Sequence, residues 1–145
     1  MSYDGLNRLL TNSVSNSEKP ELNTSSTYTY TQTGSKASAK SGSEVTTYTY
    51  DDQGRLIAET EGNITKSYDY NAANSKMLFK VLQDNVEKIN TSYTYDNMNR
   101  IHQVFENAKL EATYTYDGNG NRESLTYANG DSTDYQYNLA NRVIG

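Results

Sequence analysis

Few residues of this chain have the type and setting to do chemistry. His102 is the only histidine. As a general base it would need a serine, aspartate or glutamate brought from elsewhere, and no serine sits in a nucleophile motif. On the outer face of a strand it reads as a solvated residue. The run Asp117-Gly118-Asn119-Gly120-Asn121 opens like a calcium loop, but Arg122 stands where that loop needs glycine and Ala128 where it needs glutamate. Turn chemistry explains the run better. Asp51 and Asp52 are adjacent carboxylates in a turn, one an acceptor for turn N–H groups and the other exposed. A hydrolase would need two carboxylates converging in a cleft. The chain is therefore expected to be no enzyme and to need no cofactor or metal.

Two recurrent sets remain. Asp4/Arg8, Asp51/Arg55 and Asp96/Arg100 each stand four residues apart. An ion pair that closes a turn is the structural reading, and it is favoured because the acids travel with the bases. A rim of arginines, Arg55 and Arg100 above all, that contacts anionic glycans is the functional one. The tyrosines come in pairs two apart: Tyr48/Tyr50, Tyr68/Tyr70, Tyr93/Tyr95, Tyr114/Tyr116 and Tyr135/Tyr137. Stacked on one face they would build a core; left exposed they would offer a platform for sugar rings. The core reading is favoured, most strongly for the second tyrosine of each pair.

The elements that position these sets follow from a repeated phrase. Tyr48-Thr49-Tyr50-Asp51-Asp52-Gln53-Gly54-Arg55-Leu56 is its cleanest copy, and Tyr93-Thr94-Tyr95-Asp96-Asn97-Met98-Asn99-Arg100-Ile101 is close to it. The second tyrosines fall at Tyr3, Tyr30, Tyr50, Tyr70, Tyr95, Tyr116 and Tyr137, a period of 20–27 residues. Such a period signals units that bury their faces against their neighbours. Residues alternate before each second tyrosine. Leu110, Ala112, Tyr114 and Tyr116 share one face, and Glu111, Thr113 and Thr115 the other, as in a half-buried antiparallel strand. After each turn the first, third and fifth residues are expected to share the tyrosine face: Leu56, Ala58, Thr60; Met77, Phe79, Val81; Ile101, Gln103, Phe105; Glu123, Leu125, Tyr127. Leu78, Leu82 and Ile57 break that pattern.

Each repeat is thus two strands joined by two kinds of turn. In Tyr-Asp-x-x-Gly/Asn-Arg the aspartate accepts turn N–H groups, and Asn7, Gly54, Asn99, Asn121 and Asn141 are expected to take the left-handed conformation. The copy Asn71–Lys76 reads as one residue longer, with Ser75 before its base. At the opposite tips, Asn129-Gly130 predicts a type I′ hairpin turn. Residues 31–44 lack the aspartate and arginine and read as a degenerate repeat, either loosely paired or disordered. Segment 1–47 is expected to hold degenerate repeats and 48–145 well-formed ones, all within one segment excised from a longer chain.

Composition agrees with a thin sheet. Only 34% of the 145 residues are hydrophobic, yet 14 are tyrosine. The net charge of −5 disfavours nucleic-acid phosphates. No cysteine is present, and no apolar run reaches membrane-helix length, so membrane insertion is not expected.

The phrase Tyr-x-Tyr-Asp-x-x-Gly-Arg-Leu at this spacing resembles the YD repeat of the Rhs family, which includes bacterial Rhs and wall-associated polymorphic toxins, Tc toxin C components and teneurins. The match is strong at Tyr48–Leu56, good at Tyr93–Ile101 and Tyr135–Val143, and partial at Tyr114–Arg122, Tyr68–Met77 and Tyr3–Leu9. The resemblance implies an all-β ribbon of antiparallel hairpins curling into a partial shell or open barrel-like sheet. It also implies flanking repeats as partners, an enclosed effector domain, secretion or surface display, and in some members glycan binding. The motif residues are then Tyr48, Tyr50, Asp51, Gly54, Arg55, Tyr68, Tyr70, Tyr93, Tyr95, Asp96, Arg100, Tyr114, Tyr116, Asp117, Arg122, Tyr135, Tyr137 and Arg142. The family's Asp-Pro autoprotease segment is missing, since the only proline is Pro20, after Lys19. Neither cleavage nor toxicity carries over.

Overall fold

The computed structural model describes residues 1–145 except the side chain of Glu21. The chain is all-β. Its strands are β1 Ser2–Tyr3, β2 Leu9–Val14, β3 Thr24–Tyr30, β4 Lys36–Ser41, β5 Glu44–Tyr50, β6 Leu56–Glu61, β7 Ile64–Tyr70, β8 Lys76–Gln83, β9 Val86–Tyr95, β10 Ile101–Glu106, β11 Lys109–Tyr116, β12 Arg122–Tyr127 and β13 Ser132–Asp134. They lie in one 13-stranded sheet in chain order, so the sheet is an open meander with β1 and β13 as its edges. One short 3₁₀ turn, Pro20–Leu22, interrupts the sequence of strands. No helix among the described residues is long and apolar enough to cross a membrane.

The chain divides into two compact units: Met1–Ser67 with Val81–Val86, and Tyr68–Lys80 with Glu87–Gly145. In the first unit the segment expected to pair loosely does not. Tyr28 lies opposite Ala39 and Ser26 opposite Ser41, while Ser38 faces Thr47 across the next pair. In the second unit Tyr93 and Tyr95 flank Thr94 on a regular strand and therefore share a face.

A bulge after the turns that follow Tyr50 and Tyr95 corrects the expected alternation of β6 and β10, whereas Phe79, stacked on Tyr68, and Leu125 and Tyr127, opposite Tyr114 and Ala112, share the tyrosine face as expected. Tyr50 faces Leu56, but Thr49 faces Ala58 and Tyr48 faces Glu59. Tyr95 faces Ile101, whereas Tyr93 faces Val104. Residues directly opposite share a face. The tyrosine face therefore carries Glu59 and Val104, not Ala58 and Gln103. Phe105, opposite Ser92, lies on the hydroxyl face. One extra residue after the turn reverses every later side chain.

Little is buried. Ala112 is 6% exposed and Leu125 9%, and these two form the buried hydrophobic core among the described residues. They belong to paired β11 and β12, where Tyr114 lies opposite Leu125. The paired tyrosines are half-buried, so they line a face and do not fill an interior.

Candidate functional site

The most organised side-chain chemistry lies in seven turns built to one plan. Each spans five residues: 4–8, 31–35, 51–55, 71–75, 96–100, 117–121 and 138–142. In every one the N–H of the first residue donates to the carbonyl of the fifth, at 2.8–3.0 Å, and the N–H of the fourth donates back to the carbonyl of the first. The fourth position needs positive φ. It holds Asn7, Gly34, Gly54, Asn74, Asn99, Gly120 and Asn141, with φ between 54° and 92°. Only glycine and asparagine take this region at low cost.

That register revises two copies. Asn71–Ser75 has the same length as the rest: Asn74 is left-handed, Ser75 takes the arginine position, and Lys76 opens β8. In Asp117–Asn121, Gly120 is left-handed in place of Asn121, Asn121 takes the arginine position, and Arg122 opens β12. Counting back from the nearest base misaligned both. The tip at Asn129-Gly130 also differs from a type I′ turn. Gly130 has φ 92° while Asn129 is not left-handed, and the Tyr127 N–H donates to Asp131 at 2.8 Å, as in the five-residue turns. The Asn129 carboxamide, bonded to Asp131 at both ends, sets that shape.

The first residue of each turn is an acceptor. Oδ1 of Asp51 takes the N–H groups of Gln53 and Arg55 at 2.9 Å each, and Oδ2 takes the Arg55 Nε–H at 2.7 Å. Asp4 and Asp96 repeat this with Arg8 and Arg100. The backbone N–H of the arginine is the largest influence holding Asp4, Asp51 and Asp96 below the ordinary carboxylate range. Asp117 is held low first by the Asn121 side-chain amide. Its carboxylate serves the turn, taking N–H groups from Asn119 and Asn121. In the turn at 31–35, the Thr31 hydroxyl accepts the Ser35 N–H at 3.1 Å.

The arginine then reaches the next repeat. Arg8 lies 4.6 Å above the Tyr30 ring, and Arg100 lies 4.2 Å above Tyr116. These are cation–π distances. In turn, the second tyrosine donates its hydroxyl backward, from Tyr30 to the Leu9 carbonyl at 2.9 Å and from Tyr116 to the Ile101 carbonyl at 2.8 Å. Tyr50, Tyr95 and Tyr137 do the same toward Lys36, Lys76 and Arg122. Desolvation raises the phenol pKa of Tyr50 and Tyr95, which keeps these donors protonated. Where the turn lacks arginine, the base stands one residue later and covers a first tyrosine: Lys36 over Tyr28, Lys76 over Tyr68, Arg122 over Tyr114. Arg122 also lies 5.8 Å from the Tyr135 ring. The turns themselves join through amides, Asn71 to Asn99 at 3.0 Å and Asn121 to Asn141 at 3.1 Å.

The structure thus brings the motif acids, bases and tyrosines together as a clasp between successive repeats. Arg142 closes the last turn, its N–H donating to the Asn138 side chain. His102 is half-buried, not solvated: it sits at the bulge after Ile101 and its Nδ1–H donates to the Tyr114 carbonyl at 3.1 Å. Sequence reasoning missed Asn71, Thr31 and Asn138 as first-position acceptors, although each follows a Tyr-x-Tyr or Tyr-x-Tyr-like triplet. No group of His, Cys, Asp and Glu able to hold a metal occurs among the described residues.

Comparison with known proteins places this geometry. No protein-family model matches the chain, and no curated protein sequence matches it significantly. Solved structures do. The crystal structure of TcdB2-TccC3-TEV matches over 99% of the chain at TM-score 0.73 and 18% identity. The fold is that of a Tc toxin segment. A Tc holotoxin pore of Photorhabdus luminescens carrying a TccC3 mutation matches over 98% at TM-score 0.74 and 16% identity. This agrees with the resemblance to the Rhs/YD-repeat family read from the phrase itself. The chain spans only 9% and 8% of those two chains.

Proposed function

We propose that this chain is a non-enzymatic wall segment of an Rhs/YD-type β-shell, one that encloses a toxin or other domain or stands at the cell surface. The observation that carries the reading is the match of nearly the whole chain to a small part of a much larger Tc toxin chain. The side chains support it. The chemistry-bearing residues are spent on joining one repeat to the next, and the sheet buries almost no apolar residue of its own. Such a sheet gains cover from further repeats of the same parent chain and from whatever it surrounds. An extracellular or surface location goes with this reading.

Protease protection tests it. In the longer gene product that holds this segment, the domain inside the shell should resist proteolysis until the sheet is unfolded. Digestion at equal rates before and after unfolding would overturn enclosure. A glycan role for Arg55 and Arg100 separates in a second arm. Their Nε–H groups are committed to Asp51 and Asp96. Heparin retention should therefore be unchanged when Arg55→Ala and Arg100→Ala are combined and the fold is verified by circular dichroism.

A further inference from the structure

The chain contains two Asn-Gly steps, Asn119-Gly120 and Asn129-Gly130. Asparagine before glycine is the pair most open to self-catalysed deamidation, because glycine puts no side chain in the way of its own nitrogen. The Gly nitrogen attacks the asparagine Cγ, ammonia leaves, and a five-membered succinimide forms. Water then opens the ring at either carbonyl, giving aspartate or isoaspartate. Water is the only co-reactant.

The structure separates the two steps. Both glycine nitrogens carry the same restraint: Gly120 N–H donates to the Asp117 carbonyl and Gly130 N–H to that of Tyr127, each at 3.0 Å. The asparagine side chains differ. Asn129 Oδ1 accepts the Asp131 N–H at 3.0 Å, and its Nδ2–H donates to Asp131 Oδ2 at 2.7 Å. Its carboxamide is held at both ends, one of them by a charged acceptor, and cannot rotate toward Gly130 without breaking both bonds. Asn119 is exposed at the outer corner of its turn, and only its backbone N–H is engaged, by Asp117.

We infer that Asn119 is a spontaneous modification site, a deamidation clock set in the turn between β11 and β12, and that Asn129 is protected. The position gives the reaction a structural consequence. Isoaspartate adds a methylene to the main chain inside the five-residue turn. The Asp117–Asn121 bonds that close this turn then lose register. The same turn receives Arg100, whose Nη1 stands 3.6 Å from where a Gly120 Cβ would lie, and passes a hydrogen bond from Asn121 on to Asn141. Ageing at Asn119 loosens the clasp on both sides.

The test is peptide mapping by mass spectrometry of the folded chain during incubation at mildly alkaline pH, beside a urea-unfolded sample. Asn119 should convert on the order of tenfold or more faster than Asn129 in the folded chain, from the two extra bonds on Asn129. The gap should close in urea. Asn119→Gln should remove the fast product, and Asp131→Ala should speed conversion at Asn129. Equal rates at the two sites in the folded chain, or no conversion at Asn119 while the unfolded sample converts, would overturn the assignment.

Discussion

The contact between Arg100 and Tyr116 is the most direct point at which to break the link between repeats. The Arg100 side chain is 26% exposed, and its guanidinium lies 4.2 Å from the ring centroid, with its other edge on Asp96. At this exposure a cation–π contact contributes about 0.5–1 kcal/mol. Removing the Tyr116 hydroxyl forfeits its bond to the Ile101 carbonyl, at about 0.5–1.5 kcal/mol. Tyr116→Leu should then cost about 1–2.5 kcal/mol, the sum of the two, and Tyr116→Phe only the second part. Arg100→Met keeps the aliphatic stem and removes the charge. Because Asp96 contacts the arginine and not the tyrosine, its loss of partner appears in both arms of a double-mutant cycle and cancels. Urea unfolding of the four proteins at low salt should give a coupling of about 0.5–1 kcal/mol between Arg100→Met and Tyr116→Leu. The same cycle with Tyr116→Phe should show almost none, because the ring remains. Additivity in the leucine cycle would refute the clasp and leave the arginine a surface charge paired only with its own aspartate.

Two further outcomes follow from the turns. Ala108 sits at φ 63° in the tip between β10 and β11, exposed and beside left-handed Asn107. Ala108→Gly should stabilise by about 0.5–1 kcal/mol, because relief of left-handed strain exceeds the added freedom of the unfolded chain; a lower urea midpoint would contradict that. The depressed carboxylates set a pH dependence. Asp4, Asp51, Asp96 and Asp117 release their protons more readily in the fold than in the unfolded chain. Their contribution is present above the ordinary aspartate value of 3.8 and is lost as pH falls through the lower folded values. Tyrosine fluorescence during acid titration should report loss of structure below that value, and Asp51→Asn should reduce the steepness of the transition.

Much of this was legible in the chain. Tyr-x-Tyr alternation demands a strand because only a period of two puts Tyr93 and Tyr95 on one face. Aspartate and arginine four apart, around asparagine or glycine, demand a closed turn, and the pairs at Asp4/Arg8, Asp51/Arg55 and Asp96/Arg100 are all formed. These are local relations, carried by backbone sterics and side-chain reach within a few residues. The turns at Asn71–Ser75 and Asp117–Asn121 were misaligned because a nearby lysine or arginine looks the same in sequence whether it closes a turn or opens a strand.

What only the tertiary structure decided is what each side chain meets across the sheet. The bulge after the turn exchanges Ala58 for Glu59 and Gln103 for Val104 on the tyrosine face, since pairing register depends on a neighbouring strand and not on the strand itself. The arginine's second partner, a ring 16–22 residues further along in Tyr116 or Tyr30, exists only once two repeats lie side by side. Periodicity announced that repeats must meet; the hydrogen-bonded order of the strands determined which residues join them.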